Sequence, residues 1–154
     1  MKHSQICTLI VALLSFGVTA GAANSYYVGN AATSGSSVSY RGITYTSGVN
    51  AFADFKALVS ARPAPGSTVY VDAGIYGDAV TIDVPGLTLL GANAYCDARS
   101  ANRTAAESVI SGELNVTADN VTINGFRFTG DGCVFNSTAT NVTPMSGLTF
   151  VYNV

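Results

Sequence analysis

Pro85-Gly86-Leu87-Thr88-Leu89-Leu90-Gly91 and Asp119-Asn120-Val121-Thr122-Ile123-Asn124-Gly125 are one phrase written twice. A looser third copy is Ser146-Gly147-Leu148-Thr149-Phe150-Val151. Each copy is a turn pair followed by a short run in which apolar and polar residues alternate. Alternation with period two is the mark of a strand, and Gly, Pro, Asn and Asp at its ends mark turns. Short strands that recur with turn residues in the same places predict a solenoid, in which Leu89, Ile123 and Phe150 occupy corresponding positions.

Working outward, the repeats begin at Ser67. Val69 and Val71 alternate with Tyr70 and Asp72, Ala73-Gly74-Ile75-Tyr76-Gly77-Asp78 reads as a turn segment, Val80 and Ile82 form a second strand, and Leu87 and Leu89 a third. The second coil runs through Val109-Ile110, Leu114-Val116 and Val121-Ile123; Phe126 and Phe128 open a third, which Leu148 and Phe150 close. Three strands with short turns need roughly 20 residues per coil. The surplus between the first and second copies is the loop Ala92–Glu107. The expectation is an all-β parallel β-helix of about three coils over residues 67–154. No polar capping element follows Tyr152-Asn153-Val154, so the array is expected to be incomplete at its C-terminal end. An uncapped coil also predicts edge-to-edge self-association.

Upstream, residues 49–62 are expected to form one amphipathic helix that caps the array. Phe52, Phe55, Leu58 and Val59 recur at helical spacing, Asn50 suits the N-cap, Asp54 suits the first turn, and Arg62-Pro63 stops it. Residues 23–48 read as strands around a polar loop. Tyr26-Tyr27 there are either edge strands covering the core or a platform for sugar stacking. Residues 1–22 carry Lys2 and His3, an apolar run from Ile6 to Val18 and the small residues Ala20-Gly21-Ala22. These are the three features of a cleaved secretory signal, and the apolar run is too short to span ~30 Å of hydrocarbon. A secreted, periplasmic or cell-surface protein without a membrane span is expected. Cys7 leaves with the signal, and Cys96 and Cys133 remain, either paired in an oxidising compartment or as two separate thiols.

Composition agrees with a β fold: 48% of residues are hydrophobic, only 10% are charged, 16 are Gly and none is Trp. A formal charge of -2 without any Lys/Arg run argues against nucleic acid as a partner. The single His, His3, lies in the signal, so a triad with a His base is excluded. No phosphate-binding Gly loop and no Cys/His cluster for zinc is present.

The segments Phe52–Ala61, Gly66–Val71, Gly74-Ile75-Tyr76, the Pro85-Gly86 turn, Leu87–Asn93 and Asn120–Phe126 resemble the start of right-handed parallel β-helix proteins of the pectate-lyase-like superfamily. The resemblance implies the handedness and a cap helix leading into the first coil. It leaves function open, because the superfamily holds polysaccharide lyases and hydrolases beside non-catalytic adhesins. Lyases of this kind typically hold calcium with clustered carboxylates, and calcium wants several oxygen ligands. Asp72, Asp78, Asp83, Asp97, Glu107, Glu113, Asp119 and Asp131 form no dense motif, no Asp-Asp pair is present, and Arg62-Pro63 lacks the rest of the lyase Arg motif. The expectation is therefore a glycan-binding or structural and adhesive protein with no required cofactor and no complete active site. The alternative is the N-terminal part of a lyase or hydrolase acting on an acidic polysaccharide such as pectin, with calcium.

Two places carry the candidate binding residues. Tyr70 and Asp72 are expected to point outward from the same sheet as Arg127, if Val69, Val71, Phe126 and Phe128 point inward. The loop carries Asp97, Arg99 and Arg103 beside Glu107, and walls that sheet. Tyr stacking with Asp and Arg hydrogen bonds to hydroxyls suits a sugar chain; the other reading is an ordinary solvated face. Asn-x-Thr at Asn102, Asn115, Asn120, Asn136 and Asn141 reads as glycosylation acceptors or as turn-and-strand composition.

Overall fold

Runs such as Thr68-Val69-Tyr70-Val71 and Leu114-Asn115-Val116 put branched side chains on one face and polar or aromatic ones on the other. In the computed structural model these runs are strands whose valines and leucines are buried. Residues 24–32, 35–129 and 146–154 are described, with residues 133–135 as backbone only. The expected signal at residues 1–22 lies outside the described residues. Among those described, no helix is long and apolar enough to cross a membrane.

The chain is mostly strand with one short helix. Four strands precede or flank the helix: β1 (Ser25–Val28), β2 (Ser37–Tyr40), β3 (Ile43–Thr46) and β4 (Ala51–Phe52). The helix α1 is Phe55–Ser60. Then come β5 (Thr68–Val71), β6 (Gly74–Tyr76), β7 (Val80–Ile82) and β8 (Thr88–Leu90). They are followed by β9 (Ser108–Ile110), β10 (Leu114–Val116), β11 (Thr122–Asn124), β12 (Phe126–Phe128), β13 (Cys133–Phe135) and β14 (Thr149–Val151). Three parallel sheets result, ordered β14-β11-β8-β5-β1-β4, β13-β10-β7 and β12-β9-β6, beside the two-stranded antiparallel sheet β2-β3. From β5 onward the chain visits the six-stranded sheet, the β12-β9-β6 sheet and the β13-β10-β7 sheet in the same order each time. Val69, Leu89, Ile123 and Phe150 stand in one row, as the repeated phrase predicts.

The phrase has a fourth copy, Pro65-Gly66, and the structure shows why. Gly66, Gly86, Asn120 and Gly147 all have positive φ, at 76°, 73°, 57° and 68°. At one corner of successive layers the backbone must turn left-handed, which Gly and Asn accept at least cost. The corners stack through backbone hydrogen bonds, Gly66 N to Pro85 O at 3.1 Å, Gly86 N to Asp119 O at 2.9 Å and Asn120 N to Ser146 O at 2.8 Å.

Four expectations need correction. Gly74-Ile75-Tyr76 is the strand β6 and not a turn, because it lies in register with Ser108–Ile110 and Gly74 N donates to Glu107 O at 2.9 Å. This shifts the phase. Val69–Val71 stack with Leu89 and Ile123, whereas Arg127 stacks with Val109 and Ile75, so Tyr70 and Arg127 belong to different sheets. The helix expected over 49–62 is cut to Phe55–Ser60. Ala51 and Phe52 instead pair with Tyr27 and Val28, and the N-cap is Asp54, whose Oδ1 accepts from Ala57 N at 2.7 Å. Asn50 bonds Thr46 N from a turn. Finally, Tyr26-Tyr27 do not form an edge strand: β1 lies between β4 and β5. Tyr27 is wholly buried and serves as no sugar platform.

One apolar cluster joins Val69, Leu89 and Ile123 from the six-stranded sheet to Phe55 and Leu58 of the helix. Phe55 meets Tyr76 edge-on at 5.3 Å and approaches Phe126 at 6.4 Å. A second, smaller cluster holds the β2–β3 hairpin, whose Tyr40 and Tyr45 rings lie 5.3 and 5.8 Å from Tyr27.

Candidate functional site

Tyr70 and Asp72 are structural in this geometry. The Tyr70 ring lies 6.0 Å from Tyr40, and the Arg41 guanidinium covers both rings at 5.5 and 5.7 Å. Asp72 accepts from the Tyr27 hydroxyl and from Ala73 N, each at 2.9 Å. Burial, then the bond and charge of Asp72, push the Tyr27 hydroxyl well above its ordinary pKa. These contacts fasten the hairpin to β1 and β5.

The loop 92–107 is different. It leaves the end of β8 and returns at β9, at the corner where β11 passes to β12 through Gly125 alone. Buried polar residues concentrate there: Asn93, Ser108 and Asn124 are all almost fully buried. Each is bonded, as a buried polar group must be. Asn93 donates to Thr104 O and Ala106 O, both at 3.2 Å, and accepts from Thr104 N at 3.0 Å. Ser108 Oγ accepts from Ala92 N at 2.8 Å and points at Val71 O and Asp72 O. Asn124 Oδ1 accepts from Tyr95 N at 3.0 Å.

Arg103 ties the corner together. Its Nε and Nη2 make a two-pronged pair with Glu107, both at 2.9 Å. Its remaining N–H groups reach Tyr152 O at 2.9 Å and Cys96 O and Phe126 O, each at 3.3 Å. The two side chains are only 6% and 12% exposed. Every donor of Arg103 is therefore engaged by the protein, and it is a staple and not a ligand contact. Burial alone would raise the Glu107 pKa; the bonds from Arg103 and Asn93 and the charges of Arg103 and Arg127 outweigh it and hold the carboxyl below its ordinary 4.5.

Around this staple the exposed side chains face outward. Asp97 and Arg99 are exposed in the loop, where Asp97 Oδ1 accepts from Arg99 N at 2.7 Å. Arg127 is exposed on β12. The sequence reading missed two tyrosines. Tyr95 and Tyr152 are 66% and 44% exposed and meet edge-to-face at 6.5 Å. Both have left-handed backbones, at φ 67° and 56°. That conformation is uncommon for a bulky residue and persists where surroundings impose it. Here Asn124 holds the Tyr95 N–H and Arg103 holds the Tyr152 carbonyl. One half of the pair was detectable in sequence: aligning Asn124 with Val151 sets Tyr152 where the previous layer has Gly125. The other half depends on the path of the loop. Cys96, beside Tyr95, is a free thiol. Among the described residues no three His, Cys, Asp or Glu side chains gather at one point.

No protein-family model, curated protein or solved structure matches the chain.

Proposed function

We propose that the chain is the right-handed parallel β-helix of a secreted or cell-surface protein, with α1 at its N-terminal end, and that it binds glycans at the Tyr95–Tyr152 corner. The cyclic order of strands through three parallel sheets supports the β-helix, because one chain can repeat that order with short corners only by winding. The observation that carries the binding reading is the exposed tyrosine pair, set 6.5 Å apart on backbones that buried Arg103 and Asn124 hold in place. Sugar rings present apolar faces that stack on aromatic rings, and their hydroxyls take hydrogen bonds from Arg and Asp. Arg99 and Asp97 lie in the same loop. Preorganised tyrosines lower the ordering cost of binding.

A glycan array, followed by titration of the best ligand, tests this. Each stacking ring contributes roughly 1 kcal/mol, so Tyr95→Ala with Tyr152→Ala should weaken binding about tenfold or more, with the melting temperature little changed. Glycan binding that the double variant retains in full would remove this corner as the site.

A further inference from the structure

The repeated phrase sets a threonine at the same place in successive layers. Thr68, Thr88, Thr122 and Thr149 are register partners from β5 through β8 and β11 to β14, and Ser25 of β1 precedes them in the row. Their chain neighbours Val69, Leu89 and Ile123 are wholly buried, so alternation turns the threonines to the outer face of the six-stranded sheet. Thr68, Thr88 and Thr122 are half-buried and Thr149 is exposed, and none of the four hydroxyls bonds a protein group among the described residues. A wall stands on one side of the row. Two residues further along the strands, Tyr27 and Asn124 are 0% and 2% exposed. The β2–β3 hairpin covers Tyr27 with the Tyr40 and Tyr45 rings, and the loop 92–107 covers Asn124, whose Oδ1 holds Tyr95 N at 3.0 Å. On the other side are the left-handed corners Gly66, Gly86, Asn120 and Gly147, which leave the approach low. Neither the row nor these corners carry a charge.

We infer that this row binds an unbranched, uncharged glycan of β-linked pyranoses that lies along it, across the strands. The inference rests on the glycan reading and names the class of ligand. Identical side chains at equal spacing suit a ligand that itself repeats. Layers of a sheet are ~4.8 Å apart, so Thr68 to Thr149 presents hydroxyls over about 14 Å, at a spacing close to the advance per sugar of an extended β-linked chain. Each threonine offers a donor and acceptor lone pairs to a sugar hydroxyl, beside a methyl for the ring face. Charge decides against an acidic glycan, because a carboxylated sugar would meet no Lys or Arg in the row. The wall carries Tyr95, so the row is continuous with the tyrosine corner, and a chain that stacks there runs on along the foot of the wall.

The probes are cello-oligosaccharides from the disaccharide to the hexasaccharide, with maltohexaose as an α-linked, curved control, titrated into the full chain by calorimetry. Affinity should climb with length, and cellohexaose should bind about tenfold more tightly than either cellobiose or maltohexaose. Thr88→Val with Thr122→Val removes two hydroxyls and keeps β-branched strand formers. It should weaken cellohexaose about fivefold and flatten the length series, with the circular dichroism spectrum unchanged. Absent binding of cellohexaose, equal affinity at every length, equal binding of maltohexaose, or full cellohexaose affinity in the valine variant would each overturn the inference. Length-independent binding that is lost with Tyr95→Ala and Tyr152→Ala would overturn the row and leave the corner standing. Length dependence that survives those two changes would remove the corner and leave the row.

Discussion

Arg103→Ala is expected to cost about 3–5 kcal/mol of stability, the range for removing one partner of a buried ion pair. With side chains 6% and 12% exposed, Arg103 and Glu107 are well shielded from water. The change would strand the Glu107 carboxylate and also free the Cys96, Phe126 and Tyr152 carbonyls. For a chain of this size the melting temperature should fall by roughly 10 °C. The Tyr95–Tyr152 pair should lose its geometry, so glycan binding should weaken together with stability. Arg103→Met combined with Glu107→Leu should be less damaging than Arg103→Ala, since no charge is left unpaired. A single variant that melts like the wild type would show that the staple holds nothing.

The same pair fixes a pH dependence. The folded Glu107 carboxyl titrates below its ordinary 4.5, so its contribution is fully present above that value. As pH falls from 4.5 through the lower folded pKa, the folded state binds its proton later than the unfolded chain and the contribution is lost. Chemical denaturation from pH 6 downward should show the wild type losing stability in this acid window, with Glu107→Gln lacking that component. Parallel curves for the two proteins would contradict the assignment.

Gly125→Ala is the second large effect, at about 3 kcal/mol or more. Gly125 has φ 80°, where a Cβ costs roughly 1–2 kcal/mol. A Cβ would also collide with the backbone of Asn93 and Ala94, where the loop crosses the corner, and overpacking of that kind costs a further 1–3 kcal/mol or so. Gly42→Ala is the control. Its φ is 78°, yet nothing lies within 4 Å of the added atom, so only the conformational part should be lost. Thermal melts of the two variants separate the terms. Equal losses would mean that the loop does not press on Gly125. The contrast also explains Tyr152, which takes the left-handed corner position in the following layer: its side chain is free to project into solvent.

Much of the layered arrangement was legible because local chemistry and tertiary role coincide. A corner that turns left-handed wants Gly or Asn, and a strand with one buried face alternates, so Gly86-Leu87-Thr88-Leu89 and Asn120-Val121-Thr122-Ile123 carry both signals in consecutive residues. Where a strand has no such signature the reading failed. Ala51-Phe52 fits a helical spacing as well as a two-residue strand, and only pairing with Tyr27-Val28 decides between them. Asn50 and Asp54 are both good caps, and the one whose following residues were free of a sheet became the cap. Gly74 and Gly77 bracket β6 with residues that mark turns, which hid the strand and shifted the phase of the coils.

The loop Ala92–Glu107 stood out in sequence because the repeat does not account for it. Its division of labour did not. Arg99 and Arg103 are the same residue four positions apart, and no local property separates an exposed guanidinium from one with all its donors engaged. The amino-acid sequence by itself determined the repeat, the parallel strands and the location of the extra loop, since these follow from spacing and backbone preference. Only the tertiary structure decided that Tyr70, Asp72 and Arg103 hold the fold together while Tyr95 and Tyr152 face solvent. Those roles depend on which carbonyls, carboxylates and rings distant segments bring within reach, and spacing along the chain does not encode that.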